Sequence, residues 1–222
     1  MLIIGYGTLA RAVIKRVSAK TDASVNVYNR TQSVVDSDPD CNYVPPEQFH
    51  RYSKVLVALP APAFEDFFRR WEGSFPEGTC FFYCATKIMQ GEMKAYVKNK
   101  HSVVPCKLAG HAETLRLLGE GAFAFEHEER RAQFNRWSDG AFNTIIAKED
   151  QVMKGNRVAT EENLRALLTI EQKLQQEGVP RSLIESVNTS IPGGIAQAHK
   201  NGTHGHFAKE ILKKWRGDNH DE

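Results

Sequence analysis

The sequence predicts an α/β protein, with a doubly wound parallel sheet in its first half and a small all-helical unit after it. Three observations predict this. Short β-rich runs alternate with helical patterns through the first 127 residues, as strands joined by crossover helices do. The first run turns directly into a glycine-rich loop that opens a helix. Beyond about residue 160 apolar residues recur at helical spacing and the strand patterns stop. A length of 222 residues suits one domain of roughly 100–200 residues plus a small second unit.

Residues 2–4 are the first strand, begun almost at the first residue. Residues 9–19 follow as a helix with Ala12, Val13, Ile14 and Val17 on its inner face. Residues 24–28 form the second strand. Residues 54–59 are apolar after Lys54 (Val55, Leu56, Val57, Ala58, Leu59), the signature of a strand buried on both faces. Residues 79–85, 102–105 and 122–125 repeat the theme, and helices are predicted at 63–71 and 91–98. Between 128 and 159 no element is predicted: there is a charge cluster at 126–131 and a polar stretch over 139–155 with an apolar patch at Ile145-Ile146. Thr160 then reads as an N-cap, with Leu164, Leu167, Leu168 and Leu174 at helical spacing until Gly178-Val179-Pro180 stops the pattern. Further helices are predicted at 181–187, 193–200 and 207–215, with Ser190 near an N-cap and Pro192-Gly193-Gly194 opening one of them. The expected organisation is a dinucleotide-binding domain over 1–127, a connecting segment over 128–159, a helical domain over 160–216 and a polar, disordered tail over 217–222.

Composition narrows the class of function. Lys and Arg number 29 against 27 Asp and Glu, a net charge of +2, so neither nucleic acid nor a membrane is an expected partner. No apolar run reaches the roughly 18 residues of a membrane span. Met1-Leu2-Ile3-Ile4-Gly5 lacks a basic leader and is not expected to be a signal peptide. Cys41, Cys80, Cys84 and Cys106 show no metal-ligand spacing, and Cys80 and Cys84 share one side of a strand-like run. Reduced, structural thiols in a cytoplasmic protein are expected. His199, His204 and His206 cluster without a carboxylate or cysteine at ligand spacing, so no metal is expected.

Gly5-Tyr6-Gly7-Thr8-Leu9-Ala10 fits G-x-G-x-x-G/A, after a strand and before a helix, the context that gives the pattern its meaning. Gly5 permits the tight turn, Gly7 lets the backbone approach a pyrophosphate, and Ala10 keeps helix and strand close. The amides of Thr8 and Leu9 then point at phosphate from the helix N-terminus. A Rossmann-type site is expected. About twenty residues on, where NAD binders carry an acid for the ribose hydroxyls, the chain has Asn29-Arg30-Thr31. Arg30 can attract a 2′-phosphate, and Thr31 and Asn29 can donate to it. The expected cofactor is NADP(H).

On these residues the chain resembles the pyrroline-5-carboxylate reductases. The family carries a similar asparagine-arginine-serine/threonine stretch. Residues 55–62 are similar to its strand ending in a valine-lysine-proline turn, and Tyr83-Cys84-Ala85-Thr86-Lys87-Ile88 looks like its strand over the nicotinamide. Residues 103–110 and Gly119-Glu120-Gly121 look like its substrate loop and the glycine-rich stretch after it. Thr189-Ser190-Ile191-Pro192-Gly193-Gly194 resembles its serine-proline-glycine-glycine-threonine motif. The resemblance implies NADPH contacts at Leu59, Pro60, Ala61, Ala85 and Thr86. It implies substrate contacts at Cys106, Lys107, Ser190, Gly193 and Gly194. It also implies a helical dimerisation domain and imine reduction. The departures fall where the family holds its substrate: Ala61 stands for a lysine, Cys106 for an asparagine, Lys107 for a threonine and Leu108 for a proline, while Ile195 and Ala196 replace threonines.

Lys107 and His111 lie just past a strand end that should face the nicotinamide. Either can protonate a carbonyl or imine while hydride attacks its carbon; equally, they can be a solvated lysine and a helix-surface histidine. Two functions are therefore expected to compete. One is an NADP-dependent oxidoreductase acting on a small imine or carbonyl substrate; the other is a non-catalytic NADP(H)-binding regulatory protein. A homodimer is expected, because the helical part carries apolar faces with too little mass to bury them.

Overall fold

The computed structural model of the chain describes residues 1–98 and 100–217, which form two compact units, Met1–Arg157 and the residues from Val158 onward. In the first unit β1 (Leu2–Ile4), β2 (Val25–Tyr28), β3 (Cys41–Tyr43), β4 (Lys54–Val57), β5 (Cys80–Tyr83) and β6 (Ser102–Pro105) form a six-stranded sheet in the order β3-β2-β1-β4-β5-β6. Every pairing is parallel. The chain winds outward from β1 to β3, then returns to build β4 to β6 on the other side. The order thus reverses between β1 and β4, and a crevice opens beyond their carboxyl ends.

Strand alternation decides which side chain meets which layer. Ile3, Val27, Leu56, Phe82 and Val104 face one side, where Val13, Ile14 and Val17 of α1 (Thr8–Thr21) pack on them. Leu2, Ile4, Val55, Val57, Phe81 and Tyr83 face the other. The remaining crossover helices are α2 (Ser33–Asp36), α3 (Phe64–Trp71) and α4 (Gln90–Tyr96). Phe64, Phe67 and Phe68 of α3 meet Phe49, Phe75 and Phe81 on that second face, with Phe49 and Phe75 stacked at 4.7 Å between centroids. Cys80 and Cys84 share the α1 face, as their spacing predicts.

The segment after β6 builds more than the sequence predicts. β7 (Lys107–Ala109), α5 (Ala112–Leu118), β8 (Ala122–Phe125), α6 (Glu128–Ser138) and β9 (Asn143–Ile146) follow in order. β7, β8 and β9 make a separate three-stranded sheet, antiparallel then parallel. The run at 122–125 is therefore a strand, but not of the main sheet. Residues 128–159, for which no element is predicted, contain α6, β9 and the start of a long helix. The physical reason is local: α6 is charged nearly all round and buries Phe134 and Ser138. Phe134 packs on Phe123, Phe125 and Phe142 at 5.1–5.8 Å, contacts that no periodicity reveals.

The long helix is α7 (Glu149–Gln176), followed by α8 (Arg181–Asn201) and α9 (His206–Gly217). Two expectations are corrected here. Thr160 is no N-cap but lies inside α7, which begins eleven residues earlier at Glu149. The helices predicted at 181–187 and 193–200 are one helix, α8, with Pro192 in its interior. Proline there forfeits its own N–H bond and crowds the carbonyl of Asn188, and Ser190 donates back to the Ser186 carbonyl at 2.8 Å instead of capping a helix start. Gly217 closes α9, and the rest of the tail predicted over 217–222 lies outside the described residues. No helix among the described residues is long and apolar enough to cross a membrane.

Candidate cofactor-binding site

The loop from Gly5 to Ala10 crosses the crevice between β1 and β4. The Gly5 amide donates to the Tyr28 carbonyl at 2.8 Å, and the Ala58 amide donates to Ile4 at 2.9 Å. Gly5 has φ +102°, and a Cβ on it would stand 2.7 Å from the Ala58 carbonyl oxygen. Gly7 is different: it takes the N-cap position of α1 in extended conformation, no side chain caps the helix, and a Cβ on it would meet nothing within 4 Å. The first-turn amides, Thr8 and Leu9 among them, have no carbonyl of their own helix to bond, and the first turn carries no acid. Ala10 is fully buried against the sheet.

Tyr6, the variable position of the motif, is held in place. Its hydroxyl donates to the Asp38 carboxylate at 2.6 Å, and the Arg11 guanidinium lies 6.0 Å from its ring centre. Burial, then the bond to Asp38, pushes the Tyr6 hydroxyl above the ordinary phenol range. Tyr6 therefore stays protonated and ties the loop to the segment before β3.

At the end of β2, the Asn29 side-chain amide donates to the Thr31 carbonyl at 3.0 Å and shapes the turn. Arg30 and Thr31 are left exposed. A cavity of about 650 Å³ opens here. Gly5, Tyr28, Asn29 and Arg30 line one part of it, Leu59 and Pro60 another, and Ala63, Asp66, Phe67, Arg69, Arg70 and Trp71 the rest. The structure thus brings Gly5, Asn29, Arg30, Leu59 and Pro60 around one space. Tyr6, Gly7, Thr8, Leu9, Ala10, Thr31 and Ala61 adjoin those residues in sequence without lining it. The contribution of α3 is absent from the sequence-based expectation. Its signal was available, since Ala63, Asp66, Phe67, Arg70 and Trp71 recur at three- and four-residue spacing.

The carboxyl ends of β5 and β6 carry a buried polar cluster. The Lys107 ammonium donates to the carbonyls of Ala85 and Ile88, lies 3.6 Å from the Glu149 carboxylate and sits 4.3 Å from the Tyr83 ring centre. Glu149 accepts from the Tyr83 hydroxyl and the Gln90 amide, each at 2.6 Å. Lys107 and Glu149 are 3% and 7% exposed, and the ammonium is met by two carbonyl acceptors and one carboxylate. Burial pulls the Lys107 amine below the ordinary lysine range, against the pull of Glu149. Lys107 accordingly ties down the loop that carries Ala85 and Thr86. Cys106 is fully buried, with burial pushing its thiol well up. His111 is exposed at the N-cap position of α5 and makes no capping bond. Ser190, Gly193 and Gly194 lie in α8, in the second unit, and a Cβ on either glycine would meet open space.

A parallel sheet with this order, a glycine turn entering an uncapped helix and a helical unit to follow define a Rossmann-type α/β protein with a helical C-terminal region. No protein-family model and no curated protein matches the sequence. Solved structures do match in fold. A pyrroline-5-carboxylate reductase from Coxiella burnetii is similar over 99% of this chain and 91% of its own, with a TM-score of 0.68 and 13% identity. The Plasmodium falciparum pyrroline carboxylate reductase with NADP bound is similar over 90% and 78%, at 0.63 and 12%. A Streptomyces aurantiacus imine reductase is similar over 92% and 79%, at 0.64 and 13%. The fold expected from the sequence is the fold of these reductases.

Proposed function

We propose that this chain binds NADP(H) through its first unit and is an oxidoreductase acting on a small imine or carbonyl compound. The observation that carries the reading is the cavity that Gly5 and Arg30 share, with the glycine loop running on from Gly5 into an uncapped helix. The residues present fit the cofactor. Open space at Gly7 admits a pyrophosphate to the Thr8 and Leu9 amides. Arg30, exposed and with no carboxylate in the turn from Val25 to Thr31, suits a 2′-phosphate better than a ribose diol. Leu59, Pro60 and Ala61 would floor the site, and the clamped loop at Ala85 and Thr86 would border the nicotinamide. NADPH, when bound, supplies a hydride. His111 is the side chain we assign to deliver the proton, because its imidazole is exposed while the Lys107 ammonium is committed. The likeness to a reductase with NADP bound and to an imine reductase supports the cofactor and the substrate class.

A second reading, a non-catalytic NADP(H)-binding protein, is favoured by one observation. Lys107 and Cys106, which stand where the resemblance implies substrate contacts, are both buried. One experiment separates the two: loss of NADPH absorbance on adding cyclic imines and small carbonyl compounds, beside direct binding of NADPH and NADH. The enzyme reading expects turnover with NADPH that His111→Ala lowers in kcat. It also expects Arg30→Ala to weaken NADPH by about 1–3 kcal/mol while sparing NADH. Tight NADPH binding without turnover on any of them selects the second reading. No preference for NADPH over NADH overturns both.

We also propose that the second unit is a dimerisation unit whose partner is a second copy of this chain. Leu164, Leu168, Leu183, Ile195, Phe207 and Trp215 are 51–75% exposed there, and that much exposed apolar surface in so small a unit supports an interface. A two-fold pair is the commonest way to close one.

A further inference from the structure

The cavity has a wall that the glycine-rich loop and the end of β2 do not supply. Ala63, Asp66, Phe67, Arg70 and Trp71 all line it, and their spacing places them on one face of α3 and the turn before it. With Arg69, which also lines the cavity, α3 brings two positive charges to one negative. Asp66 is bonded by Arg69, which also reaches Glu65 at 3.8 Å. Asp66 stands four residues before Arg70, the spacing of a helical ion pair, yet it is occupied by Arg69. Arg70 has no ion pair or hydrogen bond among the described residues, and neither has Arg30 on the β2 side of the same cavity.

Arg30 and Arg70 thus present two guanidiniums without a carboxylate partner to one cavity, a setting that favours an anion. A cation in the last turn of α3 is favoured by the helix dipole. That accounts for a basic residue there but not for its position on the cavity face. We propose that Arg70 is a second arginine for the 2′-phosphate, so that α3 shares with β2 the selection of NADP(H) over NAD(H); this rests on the cofactor reading above. A phosphomonoester is close to a dianion with three acceptor oxygens, enough for two guanidiniums, whereas the ribose hydroxyl of NAD(H) brings no charge. The pairing of Arg69 with Asp66 belongs to the same device. It neutralises the one carboxylate lining the cavity, which would otherwise repel the phosphate.

The test is binding of NADPH, NADH, 2′,5′-ADP and 5′-AMP to the full chain and to Arg70→Ala, Arg70→Glu and Arg30→Ala, by calorimetry. Arg70 is exposed, so the variants are expected to keep the wild-type melting curve. Arg70→Ala should weaken NADPH and 2′,5′-ADP by about tenfold or more, as loss of a charge-assisted contact does. NADH and 5′-AMP should change less than about twofold, and Arg70→Glu should weaken the phosphorylated pair further. Loss by the same factor for all four ligands, or no loss for any, overturns the proposal. If Arg30→Ala is selective while Arg70→Ala is silent, the role of α3 falls and the NADP(H) reading stands. A wild-type chain that does not distinguish 2′,5′-ADP from 5′-AMP overturns both.

Discussion

Gly5 and Gly7 stand two residues apart in one loop and do different work. Gly5 is required by the backbone: φ is +102° and the Ala58 carbonyl lies where a Cβ would be. Gly7 is required by nothing in the protein itself, since its φ of −81° suits any residue and the space above it is open. The two substitutions should therefore separate folding from binding. Gly5→Ala should lower stability by about 1–3 kcal/mol, the cost of a non-glycine residue at positive φ, read as an earlier urea midpoint. Gly7→Val should cost no more than about 1 kcal/mol, as a poorer N-cap, yet abolish binding of both NADPH and NADH by filling the pyrophosphate position. A folded Gly7→Val protein that still binds would show that the loop is not the site. At this scale the motif was legible in the sequence, and so was Arg30. The commitment of Lys107 was not, because its acceptors are the carbonyls of Ala85 and Ile88 and the carboxylate of Glu149, some twenty to forty residues away.

Those contacts make Lys107 an element-scale device. Through it and Glu149, the first strand of the small sheet, the loop after β5 and the first turn of α7 are joined at one buried point. Tyr83 adds the main sheet and Gln90 the start of α4. A buried charge left without its partner is expensive. Lys107→Met should destabilise the chain by about 3–5 kcal/mol, and Glu149→Gln less, because the amide oxygen can still accept from the Gln90 N–H while its NH2 donates to the Tyr83 oxygen. The double variant should be more stable than Lys107→Met alone, and a double-mutant cycle in urea checks this. Additive losses would mean that the two side chains act independently. Elements with strong periodicity, α1 and the central strands, were legible in the sequence. α6 and β9 were not: Phe134 packs on Phe123, Phe125 and Phe142 from the neighbouring strand and loop, contacts that no periodicity reveals.

The molecule divides into a unit with two layered cores and a helical unit in which, among the described residues of α8 and α9, Ile184 alone is buried. Such a unit exposes more apolar surface than a lone chain usually tolerates. Light scattering over a dilution series should give the mass of two chains. Leu168→Glu with Phe207→Glu, at positions 64% and 75% exposed, should halve it without disturbing the first unit. A wild-type chain that remains single at high micromolar concentration would refute the dimer.

Patterns that repeat within a few residues reached the fold from the sequence: alternation in the strands, helical spacing in α1 and α7, the glycine turn between strand and helix, and the absence of an acid after β2. These are local because one backbone conformation dictates each of them. Which strands share a sheet, where α7 begins, that Pro192 lies within a helix and that Lys107 is spent as a clamp all depend on groups far apart in the chain. So does the placing of Arg70 on the cavity that Arg30 also lines. Contacts of that kind are chosen by what each side chain meets after the layers close, when burial decides whether a charge is partnered or left to face a ligand.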